Sequence, residues 1–174
     1  MKPDDSRDFI GYGPNPPHPH WPGDARIALN FVLNYEEGSE NALPDGDAWS
    51  DAALTELPAS PVPRGERDLA AESMFRYGSR VGFWRILRMF ADRDLPLTVF
   101  ACALALERNP QAAAAIANSQ HDVVCHGWRW IEHYKLDEAE ERDHTRRAVE
   151  SLKRPVGPRP IGWYCRYAPS ANTR

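Results

Sequence analysis

Two short segments hold the residues of this chain best suited to chemistry. One is Asn34-Tyr35-Glu36-Glu37-Gly38; the other is Cys125-His126-Gly127-Trp128-Arg129-Trp130. Each closes a stretch that reads as a β-strand. In α/β barrels the catalytic groups sit at the C-terminal ends of strands, so carboxylates and a histidine at two such ends suggest hydrolysis. Glu36 and Glu37 are neighbours, and their side chains point different ways from an extended backbone. One can serve as general base while the other orients it or holds an ion. His126 can act as metal ligand, acid or oxyanion stabiliser. Plainer readings stand beside these: two solvated glutamates in a turn before Gly38, and a hydrogen-bonded structural histidine. Trp128 and Trp130 are either packing residues or the walls of a pocket.

The other histidines carry less. His18 and His20 form a His-x-His pair, but a proline-rich arm is poorly preorganised to hold a metal. His121, His133 and His144 have no partner pattern. His144 lies among charges on a predicted helix and is expected to be exposed.

The elements that position the two segments follow from periodicity. Residues 26–34 alternate, with Ile27, Leu29, Phe31 and Leu33 on one face and a mostly apolar second face, as in a strand buried on both sides. Residues 38–65 have no periodicity, and so long a loop directly after the carboxylates fits a substrate-covering role. The spacing of Val81, Trp84, Leu87 and Phe90 predicts a helix over 77–93, with Ser79 as its N-cap. Strands are expected at 97–102, Asp122–Cys125 and 160–164. Helices are expected at 111–118, opened by Pro110, and from Asp137 to about Lys153, where Asp137 and Glu140 form a capping-box signal. Strands alternating with helices imply an α/β fold with parallel pairing. Residues 1–25, rich in Pro and Gly, read as an extended arm, and Phe9, Tyr12 and Trp21 suggest that it packs onto something.

Bulk properties narrow the partners. The net charge of −4 argues against nucleic acid. The six Lys and Arg from Arg142 to Arg159 read as a solvated helix face and its exit. No apolar run approaches the ~20 residues of a membrane span. Cys102, Cys125 and Cys165 cannot all pair within one chain, and residues 1–8 are polar with no apolar leader, so a reduced, cytoplasmic setting is expected.

Together the two segments resemble the polysaccharide deacetylase (NodB homology) superfamily, whose motifs read Thr-Phe-Asp-Asp-Gly and His-Ser/Thr-x-x-His. In that family the first Asp is the catalytic base, the second Asp and two His bind a divalent metal, and the fold is an irregular (β/α) barrel. Here both Asp positions hold Glu, and Trp130 stands at the second His. These departures resemble the metal-independent allantoinase branch, as do Phe9-Ile10-Gly11-Tyr12-Gly13, Pro16-Pro17-His18-Pro19-His20-Trp21-Pro22-Gly23, Tyr77-Gly78-Ser79-Arg80, Gly162-Trp163-Tyr164 and Asn172-Thr173-Arg174. The resemblance implies an allantoinase-like hydrolase of non-peptide C–N bonds acting on a small molecule. Glu36 would activate water, with Glu37 beside it, and His126 and Arg166 would stabilise charge on the amide oxygen. Asn34, Tyr35, Trp128, Trp130 and Tyr164 would contact substrate. It implies no cofactor; the alternative is a weakly held divalent metal at Glu37 and His126. Alternative activities are N-deacetylation of amino sugars or an inactive remnant that only binds a partner.

A (β/α) barrel typically needs ~250 residues. About four strands are expected here, in an N-terminal arm (1–25) and part of a deacetylase domain (26–174). The reading is therefore a truncated, partial barrel whose open edge would favour pairing with another chain. A homo-oligomer is expected of a full-length protein.

Overall fold

The computed structural model describes residues 8–173 except 158. Contacts divide the chain into two units, Met1–Asn30 and Phe31–Arg174.

In the first unit, one 3-10 turn, Pro22–Asp24, is the regular element among the described residues. Phe9, Ile10, Tyr12, Ile27 and Leu29 are exposed. The alternation of residues 26–30 therefore does not make a buried strand, which corrects the expectation for 26–34.

The second unit is built on a parallel sheet in the order β1 (Val32–Tyr35), β2 (Thr98–Ala101) and β3 (Asp122–Cys125). The pairings Tyr35↔Ala101 and Ala101↔Cys125 bring the three C-terminal ends level. The ladder runs one residue further, with Cys102 N donating to Tyr35 O and His126 N to Ala101 O. Both motifs thus leave the sheet at one end, side by side.

The helices explain the burial of the sheet. Asp68 caps α1 (Leu69–Tyr77) by accepting from Ala71 N. A π-helical turn, Gly78–Gly82, then leads into α2 (Phe83–Ala91). The single predicted helix over 77–93 is therefore two helices starting earlier, and Ser79 lies inside the junction instead of capping it. α3 (Ala103–Arg108), not foreseen, and α4 (Pro110–Ala117) pack on α5 (Glu138–Val156). Alanines 103, 105, 112, 113 and 148 are buried at these contacts, where small side chains let backbones approach. The Asp137–Glu140 capping box forms as predicted. Leu106, Ile116 and Leu152 are each 1% exposed, worth roughly 1.5–3 kcal/mol apiece in buried apolar surface.

The expected fourth strand reduces to a single parallel bridge, Cys125↔Trp163. His144 is buried, not exposed: its ring packs against His133 and Trp128 under the strand ends. Cys102, Cys125 and Cys165 are buried free thiols. Among the described residues no helix is long and apolar enough to cross a membrane.

Candidate active site

The side chains at the level strand ends meet. His126 Nε2 lies 2.8 Å from Glu36 Oε1, and His126 Nδ1 lies 2.9 Å from the carbonyl oxygen of Tyr164. A carbonyl only accepts, so Nδ1 carries a proton. Nε2 and a carboxylate then need a second proton between them, either as imidazolium–carboxylate or as imidazole–carboxylic acid. Asn34 Nδ2 also donates to Glu36 Oε1, at 3.0 Å. Both bonds land on Oε1, so Oε2 is without a protein partner among the described residues.

The backbone holds this arrangement. Tyr164 N donates to Cys125 O and Cys125 N to Gly162 O, which fixes the carbonyl that orients the imidazole. The Tyr164 ring packs on His126 and Phe100. Gly127, with φ +87°, turns the chain sharply after His126, and a Cβ there would come within 3.0 Å of Arg129 O.

Glu37 points elsewhere, as neighbours on an extended chain must. Its carboxylate lies against Gly78 in the π-helical turn, where an added Cβ would overlap it. Such turns recur at functional sites. Burial raises the Glu37 pKa above the ordinary carboxylate range, and the charges of Glu36 and Glu40 add to the shift. Burial likewise raises Glu40, whose Oε2 accepts from Gly38 N. Glu36, Glu37 and Glu40 line a cavity of about 240 Å³ walled by Met74, Phe75 and Trp130.

Trp130 is 3% exposed and is held from two sides. Its backbone N–H donates to Ser39 O, and the Arg166 guanidinium stacks on its ring at 3.6 Å and donates to its carbonyl at 2.9 Å. Arg166 also binds Asp51 through both terminal nitrogens, at 3.0 and 3.3 Å. Arg166 thus spends its charge on Asp51 and its face on Trp130, where the resemblance expects it beside a substrate oxygen.

Two other expected contacts move as well. Tyr35 is 1% exposed, and its hydroxyl accepts from Asn109 inside the core; burial pushes its pKa up to about 12. Alternation puts it on the face opposite Glu36. Trp128 packs under Arg147 of α5 and donates to Glu107 of α3, away from the cavity. Asp47, Asp51 and Glu40 enter the site region from residues 38–65, where no periodicity marks them. Arg129 sits in the second motif at a position that the resemblance leaves unassigned.

The donor set does not fit the alternative divalent ion. Both ring nitrogens of His126 are engaged, by Glu36 and by the Tyr164 carbonyl, and Glu37 is turned against Gly78. A buried Trp130 occupies the second histidine position. Among the described residues no three His, Cys, Asp or Glu side chains are grouped to hold a metal.

Comparison with known proteins gives a consistent picture. The sequence profile of the polysaccharide deacetylase family matches residues 68–173. A Schizosaccharomyces pombe protein that carries the polysaccharide deacetylase name is 37% identical over 98% of this chain and 54% of its own length. The crystal structure of Puue allantoinase superposes with a TM-score of 0.85 at 51% identity, over 92% of this chain and 53% of that one. A Pseudomonas aeruginosa PAO1 crystal structure bearing the polysaccharide deacetylase name gives a TM-score of 0.88 at 51% identity, over 97% and 56%. The chain spans about half the length of the relatives it matches.

Proposed function

Because this chain belongs to the polysaccharide deacetylase family, we propose that it supplies part of the active site of a C–N bond hydrolase that opens a cyclic amide, converting allantoin to allantoate. The observation that carries the reading is the contact between Glu36 and His126, 2.8 Å apart, with Glu36 lining a cavity whose wall holds no Lys or Arg among the described residues. Similarity to an allantoinase at 51% identity supports the substrate.

The chemistry follows from the proton count. In the carboxylate–imidazolium form, Glu36 Oε2 takes a proton from water as the water oxygen attacks the amide carbon. The charge of this His126, whose two N–H groups are held by Glu36 and the Tyr164 carbonyl, stabilises the developing oxyanion through space and not by a hydrogen bond. The C–N bond then breaks, and the proton held by Glu36 passes to the departing nitrogen. Trp130, stacked under Arg166, provides a flat wall for a small ring.

N-deacetylation of an amino sugar uses the same carboxylate-activated water and is the second reading, supported by the deacetylase names of two relatives. Parallel assays of allantoin ring opening and of N-acetylglucosamine oligomer hydrolysis separate them. Allantoin turnover lost in Glu36→Gln supports the first. Glycan turnover alone replaces it with the second, and no turnover of either by the folded protein leaves a non-catalytic remnant.

A further inference from the structure

We infer that Arg129 is a positioning residue that couples the two motifs, holding the turn after Glu36 and Glu37 so that Glu36 meets His126. Its guanidinium makes a fork with the Asp47 carboxylate, Nη1 to Oδ1 at 2.9 Å and Nη2 to Oδ2 at 2.6 Å. The same group donates to Glu40 O at 2.8 Å and, through Nε, to Ser39 O at 3.4 Å. Ser39 in turn donates to Glu36 O from both its N–H, at 2.9 Å, and its hydroxyl, at 2.6 Å. One path therefore runs from the half-buried Arg129 through the buried Ser39 to the backbone of Glu36.

The origin of Arg129 is fixed as firmly as its target. It stands three residues after His126, and its backbone N–H donates to Nε2 of the buried His144. A displacement of Arg129 relative to the Glu36 turn thus appears directly as a displacement of His126 relative to Glu36. The fork matters because two parallel bonds fix direction as well as distance, which a lysine ammonium cannot do. The Asp47 bond holds the Arg129 pKa up, and Arg129 holds that of Asp47 down, in agreement with a stable pair. Arg108 also anchors this turn, at Gly38 O and Asp45, but from α3 and with a more exposed side chain.

The role rests on the reading that Glu36 and His126 act together, and the test separates the two. Ring nitrogen and ring proton NMR signals of His126 are recorded in the 174-residue chain, with Glu36→Ala defining the signals of a lost contact. Arg129→Met and Asp47→Ala are expected to move the Nε2 signal toward the Glu36→Ala value, Arg129→Lys less so, and Arg108→Met not at all. Where turnover is present, Arg129→Met lowers kcat about 100-fold with KM little changed, the scale of an ångström's misplacement. Wild-type His126 signals in folded Arg129→Met, or an equal shift in Arg108→Met, overturn the proposal. If Arg129→Met does not fold, Asp47→Ala decides by the same signals: a shift toward the Glu36→Ala value upholds the proposal, and wild-type signals overturn it. Shifted signals in Arg129→Met together with normal turnover in Glu36→Gln uphold the positioning role and sink the catalytic reading.

Discussion

Asp51 and Arg166 are joined by two hydrogen bonds across 115 residues of sequence, and Arg166 uses its remaining face to hold Trp130. Both side chains are largely buried, at 9% and 13% exposure. Removing Arg166 leaves the Asp51 charge with the two hydrogen bonds from Asn41 and no counter-charge at 3.0 Å. Arg166→Met should cost about 3 kcal/mol of stability, and Asp51→Asn combined with it, which removes the charge and keeps an acceptor for Asn41, should recover part of that loss. Urea denaturation of the single and double variants checks both.

Glu37 should be a residue that the fold tolerates at a cost. Its pKa is raised in the folded state, first by burial. A raised pKa gives stability that is complete below the unfolded value and lost as pH rises through the folded one. Glu37→Gln should therefore melt higher than wild type at pH 7, with the gap closing toward pH 4. A lower melting temperature at neutral pH would contradict the assignment.

His144 carries the opposite sign. Burial lowers its pKa from 6.5 to about 4. Stability should fall as pH drops from about 6.5 to about 4, by roughly 3 kcal/mol, and level off for this group below that. His144→Gln keeps an acceptor for Arg129 N–H while removing the titration. Its denaturation midpoint should change less between pH 7 and pH 4.5 than that of wild type.

Gly78→Ala should destabilise the protein through Glu37, since the new methyl would occupy the space of its carboxylate. The cost should be about 1–3 kcal/mol, typical of overpacking. In a Glu37→Ala background it should largely vanish. A double-mutant cycle measures that coupling, and additive effects would rule out the contact.

Adding a chelator should leave turnover unchanged, because His126 spends both ring nitrogens on protein partners. Activity lost on dialysis against chelator and restored by Zn²⁺ would refute this.

Much of the site frame could be read before any coordinates. The strand Asp122–Cys125 and the capping box at Asp137 came from local patterns, and local patterns are what sequence records best. Glu36 and His126 are legible because each directly follows a strand. The misses have non-local causes. Residues 26–30 alternate like a strand but sit outside the sheet unit, and pairing partners are invisible to periodicity. Arg166 is a cation beside a motif in sequence and a neutralised clamp in space, because Asp51 lies in an aperiodic loop. The π-helical turn divided a helix whose apolar spacing looked continuous, since one extra residue per turn leaves little trace in a pattern of threes and fours.

The reach of the Tyr164 carbonyl has a consequence for how the molecule matures. Glu36, His126 and Tyr164 are separated by 90 and 38 residues, and each bond in the chain that links them is long-range. Such contacts close late, because the intervening loops must be ordered first. During synthesis from the N-terminus, the imidazole can be present and its strand paired while its proton position is still undecided. Only when the segment around Tyr164 docks on β3 does Nδ1 gain its backbone acceptor. A partly folded chain can thus hold both motifs and still lack the one backbone oxygen that orients the imidazole.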